Sequence, residues 1–268
     1  MIHASAIVDS HAELDPSVEV GPYAIIGANV KAGAGCIIGP HTVVTGHTTL
    51  GAKVRIFQGA SVGEIPQDLK YAGEPGRLEV GDGTVIRECA TLHIGTKDGG
   101  MLTKIGSRCL LMAYSHVAHD CLVGDRVILA NCSALAGHIS VGDDVIMSGQ
   151  VGVHQFTRVG THAFLSGGSL VTQDVMPFCI TQGDRAKVVG INAVGLRRHG
   201  YGAERIRAIR AAFRTIFREG RRLDQALALL VEQYPEQADV QLMIEFARSS
   251  KRGMAHARRG EPDVESGD

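Results

Sequence analysis

The stretch from Tyr114 to Gly142 carries His116, His119, Asp120, Gly137 and His138. An imidazole beside a carboxylate can take a proton from a hydroxyl near neutral pH. A glycine N–H held nearby can receive the charge that develops on a carbonyl oxygen. No serine or cysteine has the setting of an activated nucleophile. The chemistry that fits is direct transfer of an acyl group to a hydroxyl, with no covalent enzyme intermediate. Sequence proximity alone does not assemble this group, because His119 and Gly137 are eighteen residues apart.

The element that could assemble it is a repeat. Apolar residues recur at every sixth position: Val117, Val123, Leu129, Leu135 and Val141 in this stretch. The same frame runs from Ile2 to Val62, lapses, resumes at Val80, Ile86 and Leu92, and continues from Ile105 to Val171. The residue two before each frame position is usually small or β-branched, as at Ala24, Thr42, Ala60, Cys109 and Ser133. In a strand those two positions face the same way, so a large and a small side chain would both point inward. Glycine often follows the frame residue, where it is expected to supply the turn. A six-residue unit of short strand and turn is the mark of a parallel β-helix. Three units would make a coil of eighteen residues, and coils would stack at about 4.8 Å. A β-sandwich expects strands every ~8–12 residues with variable turns and does not fit.

The coil turns spacing into position. His119, Gly137 and Gln155 should stack in one ladder, with Asp120 under His138 and His154 beside them. Removing a seven-residue surplus in 95–104 brings His93 to the same edge. A histidine ladder at a subunit interface would also give such a cluster. So would a zinc site, since clustered imidazoles are good zinc ligands. The pattern His-x-x-His-Asp followed by isolated histidines is not a specific ligand set, so no metal and no cofactor are assigned.

Two stretches interrupt the frame. Residues 64–79 are expected to project as a loop, with Val62 and Val80 one coil length apart; residues 95–104 form a second, Gly-rich loop. The β-helix is expected over 1–190 and an α-helical domain over 191–250. There Ile206, Ile209, Phe213 and Phe217 make a helical stripe, followed by helices over Leu223–Gln233 and Ala238–Ser249. Residues 251–268 read as a disordered tail. From Asp184 to Arg222, eleven Lys or Arg face three acids, a local balance of +8 in a chain of net charge −1. That concentration points to an anionic partner: phosphates, a nucleotide or an acidic protein.

Composition narrows the class. Aromatic residues are 4% and Trp is absent, so the interior must be narrow and aliphatic. The near-neutral net charge gives no reason to expect nucleic-acid binding. The six cysteines show no C-x-x-C spacing, which reads as buried thiols in a reducing compartment. No secretory leader and no run of ~18 apolar residues is visible, so a cytoplasmic protein without membrane insertion is expected.

Several segments together resemble the acyl-carrier-protein–UDP-N-acetylglucosamine O-acyltransferases that open lipid A biosynthesis. These are Gln67-Asp68-Leu69-Lys70-Tyr71-Ala72-Gly73-Glu74-Pro75, His116-Val117-Ala118-His119-Asp120-Cys121, Leu135-Ala136-Gly137-His138, His154-Gln155-Phe156 and Ala247-Arg248-Ser249. The resemblance covers nearly the whole chain. It implies a mainly β protein: a left-handed parallel β-helix of hexapeptide repeats followed by a C-terminal α-helical domain. It also implies a homotrimer with active sites between subunits. The substrates it implies are acyl-carrier protein bearing an (R)-3-hydroxyacyl chain and UDP-N-acetylglucosamine. By the same resemblance His119 is the general base on the glucosamine 3-hydroxyl, Asp120 its supporting carboxylate and Gly137 the oxyanion donor. Asp68, Lys70, His116, His138, His154 and Gln155 are substrate contacts, and Asn192 and Arg198 contact nucleotide or phosphate. Gly167 limits acyl-chain length, leaving a long channel that Phe164 could shorten.

Val194 and His199 depart from the family pattern, where relatives often carry Glu and a second Arg. The alternatives that remain are the N-acyltransferase acting later in the same pathway or another hexapeptide acyltransferase, a zinc lyase of the carbonic anhydrase type, and a noncatalytic trimeric scaffold.

Overall fold

The six-residue frame produces a series of very short strands, most of them two residues long. The computed structural model describes residues 1–258. The strands stack into three sheets, of nine, eight and ten strands, and each sheet takes every third strand of the β-helix in chain order. Pairing within the coils is parallel and offset by eighteen residues: Ile7 pairs with Ile25, Ile25 with Val43, and Val43 with Ser61. The architecture is a left-handed parallel β-helix capped by four helices.

Frame residues fill the prism. Val44, Val62, Leu92, Val117 and Leu135 are completely buried, and so are the small partners Ala24, Thr42 and Ser133. A narrow triangular interior has room for one large and one small side chain per strand, which explains the poverty in aromatics.

The turn chemistry differs from the expectation. The left-handed backbone falls three residues after the frame position, and mostly on residues other than glycine. Arg108, Tyr114, Asp120, Arg126, Cys132, His138, Asp144, Gln150, Phe156 and His162 all have φ between 55° and 64°. The glycine directly after the frame residue serves close approach instead. A Cβ on Gly39 would lie 2.8 Å from the carbonyl oxygen of Ile56, and one on Gly142 would lie 2.6 Å from the nitrogen of Thr161.

Both interruptions are loops, shorter than expected because Arg77–Val80 and Leu102–Ile105 are paired strands, and they affect register differently. After the first, Leu50 pairs with Val80 and Ile56 with Ile86, thirty residues apart. Val62 and Val80 therefore do not stack: they belong to successive strands in different sheets. The first loop adds twelve residues to its coil. After the second, Leu92 pairs with Val117, an offset of twenty-five that matches the seven-residue surplus.

The prism closes with an antiparallel hairpin, Cys179–Gln182 against Lys187–Ile191. The helices follow: α1 (Ala193–Arg198), which the sequence pattern did not reveal, then α2 (Ala203–Phe217), α3 (Leu223–Gln233) and α4 (Ala238–Arg248). The stripe of α2 is buried at Ile206, Ile209 and Phe213, in a second core with Phe178, Leu230 and Met243. Residues beyond 250 do not behave as the expected disordered tail as far as Arg258. Asp174 bridges to Met254 and Val188 to Ala257. Residues 259–268 of that expectation lie outside the described residues. Among the described residues no helix is long and apolar enough to cross a membrane.

Candidate active site

His119 stands on a corner of the prism, where the chain passes from the nine-stranded to the eight-stranded sheet. The next residue, Asp120, takes the left-handed conformation with φ 60°, which aspartate tolerates better than most residues. Its N–H is fixed by Thr103 Oγ1 at 2.8 Å. This turn brings Asp120 Oδ2 to 2.7 Å from His119 Nδ1. The carboxylate side chain is fully buried while His119 keeps 13% of its side chain exposed. Nδ1 is thereby the protonated nitrogen, and Nε2 carries the free lone pair.

The eighteen-residue coil does what the spacing predicts. Gly137 is buried against the imidazole: a Cβ there would lie 2.6 Å from His119 Cε1 and 2.7 Å from Nε2. His138 donates its N–H to the His119 carbonyl at 3.1 Å. Its ring packs edge-on against His119 at 5.0 Å and face-on against Phe156 at 4.6 Å. His138 Nδ1 lies 3.9 Å from Asp120 Oδ2. On the same coil as His119, His116 Nδ1 meets Thr91 Oγ1 of the coil below at 2.7 Å, and its ring sits 4.9 Å from His93. Burial first, and then His119, push the His116 imidazole below its ordinary pKa. His93, only 3% exposed, is pushed down to about 4 by burial and by His116 and His119. Gln155 and His154 are exposed on the coil above, where Arg252 donates to His154 Nδ1 at 2.9 Å.

Both loops fold back onto this corner. Asp68, in the first, brings Oδ2 to 4.0 Å from His119 Nε2. Its Oδ1 accepts the N–H of Lys70 at 3.0 Å, and Lys70 itself is exposed. The second loop supplies Thr96, whose N–H and hydroxyl both donate to Asp120, at 2.9 and 2.5 Å. Glu74 ties the loops together by accepting the N–H of Lys97 at 3.2 Å. Thr96 escapes a reading by repeat because it lies inside an insertion, where register arithmetic stops.

The remaining expected residues lie on other edges. Gly167 is exposed at the corner after Phe164–Leu165 in the ten-stranded sheet, stacked above Gly149, where a Cβ would make ordinary contact at 3.5 Å with the Gly149 carbonyl oxygen. Phe164 is partly buried within that strand. Asn192 is buried and caps α1: its amide donates to the His162 carbonyl at 2.9 Å and accepts from the Gly195 N–H at 3.1 Å. Arg198 is exposed in the last turn of α1. Nearby, on the third edge, Asp144 is held by two hydrogen bonds from Arg126 at 2.7 and 2.8 Å. His162 and His199 lie 3.8 and 3.6 Å from the same carboxylate. Burial acts to raise the Asp144 pKa, but Arg126 and the two histidines hold it below the usual range. No sequence pattern marked this second histidine–carboxylate group.

Among the described residues two sets of side chains, His119–Asp120–His138 and Asp144–His162–His199, bring ligand atoms within 4.8 Å of one another. Metal ligation would compete with hydrogen bonds already made in both. Asp120 serves Thr96 and His119, and Asp144 serves Arg126 with both oxygens.

A coiled prism of hexapeptides with a histidine–carboxylate pair on its corner defines a transferase of the hexapeptide-repeat class. Residues 102–137 match the bacterial transferase hexapeptide model, and 174–255 match the second domain of UDP N-acetylglucosamine O-acyltransferase. The chain is 52% identical over 253 residues to an acyl-[acyl-carrier-protein]–UDP-N-acetylglucosamine O-acyltransferase of Halorhodospira halophila, covering 94% of this chain and 98% of the relative. A like-named protein of Paracidovorax citrulli is 54% identical over 258 residues, covering 95% and 98%. Among solved structures, the UDP-N-acetylglucosamine acyltransferase of Francisella novicida superposes with a TM-score of 0.94 at 34% identity, over 97% of this chain and 95% of that one. The O-acyltransferase of Moraxella catarrhalis gives 0.93 at 41%, over 95% and 99%. The chain belongs to the acyl-[acyl-carrier-protein]–UDP-N-acetylglucosamine O-acyltransferase family and is an acyltransferase.

Proposed function

We propose that this chain transfers an (R)-3-hydroxyacyl group from acyl-carrier protein to the 3-hydroxyl of UDP-N-acetylglucosamine, the first step of lipid A biosynthesis. The observation that carries the mechanism is the 2.7 Å bond from His119 Nδ1 to Asp120, which leaves Nε2 with a lone pair beside Gly137. His119 Nε2 takes the proton of the sugar hydroxyl as its oxygen attacks the thioester carbon. The Gly137 N–H receives the charge on the carbonyl oxygen. The carbon–sulfur bond then breaks, and the imidazolium returns its proton to the departing sulfur. Asp68, from the first loop, is suited to orient the sugar at the open side of His119.

The placement of Gly167, Asn192 and Arg198 on edges other than that of His119 supports a homotrimer, in which a neighbouring copy would supply them to the site. The Arg-rich face of α2 suits docking of the acidic carrier protein, and a cytoplasmic location goes with such a soluble acyl donor. A general base contributes about 10²–10⁴-fold. His119→Ala should lose at least that much in kcat while folding and assembling normally. Near-normal turnover would remove His119 from the mechanism.

A further inference from the structure

We infer that Thr96 is a positioning residue for the reaction: through its hydroxyl and its N–H it fixes the Asp120 carboxylate that orients His119. The inference rests on the His119 mechanism proposed above.

Asp120 Oδ2 is shared. It accepts the Thr96 hydroxyl at 2.5 Å and the His119 Nδ1–H at 2.7 Å. Oδ1 accepts the Thr96 N–H at 2.9 Å. One residue therefore occupies both oxygens, so the carboxylate cannot rotate about its own axis without losing a bond to a buried charge. Thr96 is itself 4% exposed, and with Asp120 fully buried no water competes for these oxygens. A second observation points the same way. A Cβ on Gly99 would overlap the Asp120 carboxylate, so the short 3₁₀ turn Lys97–Gly99 lies flush on the acid. The seven-residue insertion thus works as a cap built over one carboxylate.

The hydroxyl also tunes the base. Donation to Oδ2 withdraws negative charge from the oxygen that faces His119. Without it the imidazolium would be better stabilised, and the base would titrate at higher pH. The other charged or titratable groups facing His119 are Asp68 from the first loop, His138 from the coil above, His116 from its own coil and His93 from the coil below. A substitution at Thr96 alters none of them.

The test uses Thr96→Ala and Thr96→Ser in the full-length protein, with acyl-carrier-protein thioester and UDP-N-acetylglucosamine as substrates. Thr96→Ala keeps the N–H and removes the hydroxyl. It should lower kcat by about 10- to 100-fold, the rate equivalent of one hydrogen bond to a charged group. KM for both substrates should hold, and the acid limb of the kcat profile should move to higher pH. Thr96→Ser should restore both rate and profile. In a His119→Ala background, Thr96→Ala should cost nothing further. Loss of rate with an unmoved profile and no rescue by serine would overturn the inference and leave Thr96 a structural residue. So would an additive loss in the double variant. If Thr96→Ala is too unstable to assay, a serine variant that departs from the parent's pH profile overturns it. Normal turnover of His119→Ala alone would instead remove the mechanism beneath it.

Discussion

Replacing Gly137 by alanine probes the proposed site with a single methyl group. The Gly137 backbone is not left-handed, so alanine carries no conformational penalty there, and the N–H is retained. The added Cβ would lie 2.6 Å from His119 Cε1 and 2.7 Å from Nε2. Ordinary contact begins near 3.4 Å, so the ring must retreat by about 0.8 Å. It cannot slide freely, because Nδ1 is already tied to Asp120 at 2.7 Å. The displacement falls on Nε2, the atom assigned to take the proton. A misplacement near 1 Å costs on the order of 10²-fold in rate, so kcat should fall by about that factor with KM for the sugar nucleotide little changed. Steady-state assays with both substrates read the split, and thermal melting checks the fold. Turnover within about threefold of the parent would refute the placement of the base against this glycine.

Stability should respond to pH through His93. Its pKa is about 4 in the folded chain against 6.5 for an ordinary imidazole. Between those values the unfolded chain binds a proton that the folded chain refuses. Stability should therefore fall as pH falls, by on the order of 3 kcal/mol once below pH 4. His93→Gln should flatten this slope in melts run from pH 7 to 4, and an unchanged slope would count against it. Gly39→Ala drives a methyl to 2.8 Å from the Ile56 carbonyl and should cost roughly 1–3 kcal/mol in a denaturant melt; a neutral result would mean that the coils can separate to admit it. Reversing the charge of the exposed Arg207 and Arg214 on α2 should raise KM for the carrier-protein substrate more than for the sugar nucleotide. Equal effects would remove this face as the dock.

Register made part of this site readable in advance. In a solenoid each coil contacts only its neighbours, so eighteen residues of sequence equal one step in space. That arithmetic brought Gly137 onto His119 and His138 beside Asp120. It failed where the chain leaves the coil. Val62 and Val80 looked one step apart and are in different sheets, because an insertion can add any number of residues while the next strand still finds its place. Glycine after the frame residue was read as a turn. Its actual role, yielding space to the adjacent coil, depends on a neighbour that a single repeat does not contain. Residues 251–268 read as a disordered tail, yet the backbone of Asp174 and Val188 offers residues 253–258 an edge to pair with.

The sequence by itself determined the prism, its narrow aliphatic core, the helical stripe of α2 and the meeting of His119 with Gly137. Each of these follows from a period, and a period is a local property. Only the tertiary structure decided that two separate loops reach one corner, Thr96 bonding the Asp120 carboxylate and Asp68 approaching the His119 imidazole. It also decided that Asn192 is spent on capping α1, and that Asp144, His162 and His199 form a second group on another edge. Those contacts join segments with no common repeat, and they form only after the coils have fixed where each segment begins and ends.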